Sequence, residues 1–195
     1  MTGGALLLES RRLLLRPFEA TDAPVLSDYR SDRDVARYQG WEAPFTEEQA
    51  RAFIAGMQDV VPATPGSWYQ LAIEVKATRR VGGDCAFRLK REDRRQGEIG
   101  ITLARAFQGR GYASEALTVL LDHLFGTLGL HRVTATCDRA NLPSRRLLER
   151  LGMRHEATFV ENIWFKGAWG DEHLYAVLAR EWRGQSLHNL SRPGV

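Results

Sequence analysis

A short, mostly apolar run over residues 13–18 reads as a first strand, and the turn material of 19–24 ends it. Helical spacing follows over 23–30 and again over 47–59. The second helix is opened by Thr46 with Glu48 and Gln49 behind it, a capped N-terminal pattern. Between the two lies an aromatic, turn-rich connection containing Tyr38, Gln39, Gly40, Trp41, Pro44 and Phe45. Residues 62–67 break the chain before three alternating strands, predicted at 68–75, 81–89 and 97–103. The charged stretch 90–96 reads as a solvated hairpin loop joining the last two.

The period then changes. Ala116, Leu117, Leu120, Leu121, Leu124 and Phe125 fall on one face of a helix predicted over 113–126. Strand character returns at 132–137. A helix over 143–151 is closed by Gly152, and strands at 158–165 and 173–179 flank a turn at 166–171. The order βααβββαβαββ predicts a mixed α/β fold, a sheet flanked by helices. It forms one domain over 1–183, followed by a polar, flexible tail at 184–195.

Composition narrows the class without naming it. At 195 residues, 44% hydrophobic and 26% charged, the chain has the balance of a globular domain. The apolar runs are short, such as 117–121, against the ~18 residues needed to span a bilayer. No basic segment followed by an apolar stretch opens the chain, so a cytoplasmic location is expected and a membrane partner is not. The net charge of +3 is spread among opposite charges, unlike the concentrated stripe of a nucleic-acid surface. Cys85 and Cys137 sit in alternating runs and read as reduced core thiols, with neither where a nucleophile is needed. The five histidines form no ligand-spaced pair, so no metal is expected, and His123 reads as structural.

The most informative segment runs from Glu98 to Glu115. A strand leads into a short loop holding Gly109 and Gly111, then directly into an amphipathic helix. Glycines allow close backbone approach and positive φ. The free N–H groups of the helix's first turn, at the positive end of its dipole, form an anion site. No GK[ST] ending is present, and the third glycine of a dinucleotide fingerprint is missing.

Gln108-x-x-Gly111-x-Ala113 resembles the [Q/R]xxGx[G/A] signature of the GNAT acetyltransferases. Asn141-x-x-Ser144 and Leu151-Gly152-Met153 downstream fall where that superfamily places them. The opening segment 12–18 and the closing Phe165-Lys-Gly with Asp171, Tyr175, Glu181 and Trp182 resemble the branch of RimJ/RimL-type ribosomal-protein N-acetyltransferases. The resemblance spans roughly 13–182. It implies a mostly antiparallel central sheet with a splayed parallel pair, holding acetyl-coenzyme A and acetylating a primary amine by direct attack. The acceptor would be a small molecule or a peptide N-terminus, and relatives are often homodimers.

For particular residues the resemblance implies that backbone from Gln108, Gly109, Arg110, Gly111, Tyr112 and Ala113, with Ser114, holds the pyrophosphate. Ile101, Thr102 and Leu103 would run beside the pantetheine arm, and the strand 132–137 would form the other wall. Asn141 carries two readings, helix N-cap and cofactor contact. Ser144 is likewise a first-turn helix serine or the acid for the departing thiolate, Leu148 standing where many relatives carry a tyrosine acid. Glu98 is a general base or a strand-end partner of Arg94 or Arg95, with Glu74 and Glu161 as weaker substitutes. Arg146, next to Arg145, is assigned to the 3′-phosphate. Tyr38 and Trp41, near Phe45, are assigned to the acceptor pocket or to a local aromatic cluster. A catalytically silent acyl-coenzyme A sensor and a transferase of longer acyl groups such as succinyl stand as alternatives.

Overall fold

The computed structural model describes residues 5–182; the tail predicted at 184–195 lies outside them. Eight strands form one sheet: β1 (Leu8–Glu9), β2 (Leu13–Arg16), β3 (Tyr69–Val75), β4 (Arg80–Leu89), β5 (Gln96–Leu103), β6 (Arg132–Asp138), β7 (Arg154–Phe165) and β8 (Ala168–Leu178). Their spatial order is β1-β2-β3-β4-β5-β6-β8-β7. Every neighbouring pair is antiparallel except β5 and β6.

The helices are α1 (Ala23–Ser31), α2 (Arg33–Ala36), α3 (Glu47–Gln58), α4 (Tyr112–Asp122) and α5 (Leu142–Arg150). Two of these elements, β1 and the single turn α2, carry no periodic signal because both are too short for a repeat. The long helix predicted over 113–126 is α4 continued by a π turn at His123–Thr127, where the Leu128 amide donates to the His123 carbonyl. β7 begins four residues before the predicted start, at Arg154. This edge strand exposes most of its side chains, so its charged N-terminal part lacks a buried face to reveal it. The turn predicted at 166–171 is only Lys166–Gly167, with φ of +48° and +85°. That hand matches the twist of the flanking strands and lets pairing resume at once, with Phe165 opposite Ala168.

Strand alternation sends side chains to two cores. The larger joins one sheet face, through Leu71, Phe87, Ile99 and Val133, to Leu117, Leu120 and Leu121 of α4 and Leu148 of α5. The smaller joins Ala72 and Val81 on the other face to Leu26 and Tyr29 of α1 and Ile54 of α3. Buried charges on this second face are matched. Arg16 binds Asp22 at 2.7 Å and Glu74 at 2.8 Å. Arg30 lies 3.6 Å from Asp84 and 4.2 Å from the ring centres of Trp41 and Phe53. Burial raises the Asp84 carboxyl above its usual range.

The parallel pair positions the site. α4 is the crossover that a parallel connection requires. β5 and β6 pair only at Gln96–Arg132, Gly97–Val133 and Glu98–Thr134. Beyond Thr134, β6 stays bonded to β8 and β5 stays bonded to β4, so the two strands part as a wedge.

Candidate active site

β5 ends in a 3₁₀ turn at Arg105–Phe107 and enters the loop that starts α4. Gly109 and Gly111 have φ of +72° and +77°, in the left-handed region where a side chain is strained. A Cβ on Gly111 would also come within 3.3 Å of the Arg12 guanidinium. Gly111 is the N-cap of α4, and among the described residues no side chain accepts from the helix's first amides. The loop is held from outside: the Gln108 side-chain amide donates to the Leu103 carbonyl at 2.9 Å, and Arg12 donates to the Arg110 carbonyl at 3.1 Å. Arg12 is in turn bound to Glu115 at 2.6 Å and stacks 4.6 Å from the Tyr112 ring centre.

The loop opens onto a cavity of about 490 Å³ bounded by the end of β5, the start of α4 and one face of α5. A second cavity of about 120 Å³ fills the wedge between β5 and β6, lined by Ile99, Gly100 and Ile101 on one side and Ala135 to Asp138 on the other. Tyr38, Ile101, Asn141 and Ser144 line both, so the two are adjacent and share a wall.

Of the residues assigned to cofactor contact, Ile101, Thr102, Leu103, Gln108, Gly109, Gly111, Tyr112, Ala113, Ser114, Asn141 and Arg146 all line the larger cavity. Arg110 does not; its carbonyl is the Arg12 acceptor. Asn141 caps α5, its side-chain oxygen accepting from the Ser144 amide at 3.1 Å. The Ser144 hydroxyl has no hydrogen-bond partner among the described residues and lines both cavities.

Three expected placements differ. Glu98 lines neither cavity, and its partner is Arg88 (2.6 and 2.9 Å), across the β4–β5 ladder, because Arg95 is taken by Asp93. Trp41 lines neither cavity either; it packs against the smaller core and donates to the Arg30 carbonyl at 3.0 Å. Cys137, expected away from any reactive position, lines the smaller cavity, and burial pushes its thiol up to about 11.

Asp34, Val35, Gln39, Asp138 and Arg150 line the cavities without having been assigned there. Arg150 was findable, standing four residues after Arg146 on the same helical face. The others come from α2, the connection after it and the end of β6, which meet only in the fold. Lys166, at the tip of the β7–β8 hairpin, donates to the Ala36 carbonyl at 2.8 Å and the Trp41 carbonyl at 2.7 Å. That hairpin tip therefore brackets the segment carrying Tyr38 and Gln39.

A two-glycine loop opening a helix beside a wedge between parallel strands fits the fold of an acyltransferase. The chain belongs to the GNAT family: the family model described as "Acetyltransferase (GNAT) domain" matches residues 12–154. The uncharacterized N-acetyltransferase p20 of Bacillus licheniformis is 36% identical over 178 residues, covering 91% of this chain and 98% of that protein. A GNAT-family acetyltransferase from Bacillus anthracis superposes with a TM-score of 0.81 at 33% identity, covering 90% of this chain and 100% of that one. Mycobacterium smegmatis RimJ, solved in complex with CoA-disulfide, gives a TM-score of 0.77 at 26% identity over 91% of this chain and 87% of its own. Among the described residues, no helix is long and apolar enough to cross a membrane.

Proposed function

We propose that this chain transfers the acetyl group of acetyl-coenzyme A to a primary amine by direct attack. The observation that carries this reading is the N-terminus of α4, uncapped by any side chain among the described residues, which opens into a cavity adjacent to the β5–β6 wedge. An anionic head with a long narrow arm fits that shape: free amides for phosphate at one end, a slot between strands at the other. The ligand in the RimJ crystal supports the same choice of cofactor.

Bound acetyl-coenzyme A supplies an activated acyl thioester. Around it, the amides from Gly109 to Ala113 hold the pyrophosphate, and Arg146 with Arg150 offers guanidinium groups at the rim. Beyond Glu98, β5 has lost its β6 partner, so the edge from Ile101 to Leu103 offers backbone groups to the pantetheine amides. The same edge presents N–H donors near the thioester carbonyl, where charge builds as the amine attacks. Ser144, its hydroxyl uncommitted, orients or protonates the departing thiolate. Glu98 receives the acceptor's proton through an intervening water, since Arg88 holds its carboxylate outside the cavities. Cys137 stays protonated at neutral pH, which favours direct attack over an acyl-cysteine route.

The test is a titration with coenzyme A followed by a thiol-release assay over a panel of amines. Binding with amine-dependent release supports the proposal. Binding without release on any amine points to a sensor, and no binding overturns it. Ser144→Ala is expected to lower kcat by about 10- to 100-fold with coenzyme A affinity within about threefold of wild type.

A further inference from the structure

The wedge cavity is lined by one carboxylate, Asp138, that has no ion pair among the described residues. Asp138 is the last residue of β6 and lines the cavity beside Cys137 and Ser144. Tyr38 also lines the cavity, its hydroxyl donating at 3.4 Å to the carbonyl of Ala140, two residues beyond Asp138. One carboxylate oxygen, Oδ1, accepts from the Ala140 amide at 2.6 Å and so shapes the turn into α5. The other oxygen has no hydrogen bond or ion pair among the described residues. Arg139 next in sequence is committed to Asp171 at 3.0 Å. Across the β6–β8 ladder the residue opposite Asp138 is Glu172, a like charge, whose own partner is the neutral Asn162 side chain at 2.6 Å. Like charges directly opposite repel, so Glu172 offers the Asp138 carboxylate no compensation.

We propose that Asp138 is the acceptor-binding residue: its free oxygen takes the ammonium of a cationic amine and holds the nitrogen at the wedge. The inference rests on the transferase reading, because it gives the wedge an acceptor to receive. It also narrows the acceptor to amines that are protonated in solution, such as aliphatic amines, with neutral arylamines disfavoured. In this position Asp138 binds and orients; the turn bond to Ala140 is a separate, structural task of the same side chain.

Two substitutions separate the tasks. Asp138→Asn keeps an oxygen for the Ala140 amide and removes the charge, whereas Asp138→Glu keeps the charge and displaces the turn oxygen. With coenzyme A saturating, equilibrium binding of benzylamine and of its neutral counterpart benzyl alcohol is measured by calorimetry on all three proteins. Benzylamine is expected to bind Asp138→Asn about 10- to 100-fold more weakly than wild type, with Asp138→Glu recovering part of the loss. Benzyl alcohol is expected to bind all three alike, and the melting temperature of Asp138→Asn to match wild type. Equal binding of benzylamine to wild type and Asp138→Asn, including none to either, overturns the inference. Because no turnover is required, that result stays distinct from a failure of acetyl transfer, which the coenzyme A titration and thiol-release assay read.

Discussion

α4 and α5 begin at the walls of one cavity and start in opposite ways. α5 is closed by its own sequence: Asn141 caps it, with Pro143 in the first turn and the Ser144 amide satisfied by the Asn141 side chain. α4 starts at a left-handed glycine, and among the described residues no side chain accepts from its first-turn amides. An orphan amide that a side chain satisfies contributes to stability, whereas one left free is available to a ligand. The two termini thus differ in kind, α5 fixing the geometry of Ser144 and α4 leaving its first amides open to the cavity.

The largest expected effect breaks the α4 side. Gly111→Val places a β-branched residue at φ +77° and a Cβ against Arg12, so the loop must shift. Coenzyme A affinity should fall by about 100-fold or more in a calorimetric titration, an effect much larger than the drop in melting temperature explains. Affinity within threefold of wild type would show that the amides of this loop are not the anion site.

A medium effect sharpens the α5 side. Asn141→Ala removes the cap and should cost about 1 kcal/mol, a fall of roughly 2–4 °C in melting temperature for a chain of this length. Asn141→Asp keeps a capping oxygen and adds negative charge beside the cavity, so stability should hold while coenzyme A affinity drops several-fold. If both variants change stability and affinity in proportion, Asn141 has no separate contact with the cofactor.

The smallest effect comes from the strands beneath α5. Arg132 and Arg154 hold the Glu156 carboxyl down at about 2, joining β6 to the edge strand β7. A depressed carboxylate stabilises the fold above its unfolded value near 4.5, and the contribution is lost as pH falls towards 2. Glu156→Gln should therefore flatten the acid side of a stability–pH curve and leave it unchanged at pH 7 and above apart from a small constant offset. The shift is modest because the pair is partly exposed to solvent. An unaltered acid limb would assign the acid sensitivity to other carboxylates.

Much of this was legible in the residues. The cradle of Gly109 and Gly111 is local: a strand, two permissive residues and an amphipathic helix follow one another in sequence, so their chemistry needs no distant partner. The Asn141 cap and the Thr46 capping box are local for the same reason. Glu98 shows the opposite case. Its position in the chain suggested Arg94 or Arg95 as partner, yet the β4–β5 register brings Arg88 opposite it. Trp41 and Tyr38 lie three residues apart in one aromatic segment, and only packing sends the first into a core and the second to the cavities.

The sequence by itself determined the elements with a repeating period, the two-glycine loop that starts α4 and the membership of the GNAT family, because each is written in neighbouring residues. Tertiary structure decided the wedge: where β5 and β6 part, that Cys137 and Asp138 line it, and that Lys166 reaches back to the carbonyls of Ala36 and Trp41. Those contacts join segments far apart along the chain, and their partners are chosen by strand register and sheet twist, which no local pattern of side chains encodes.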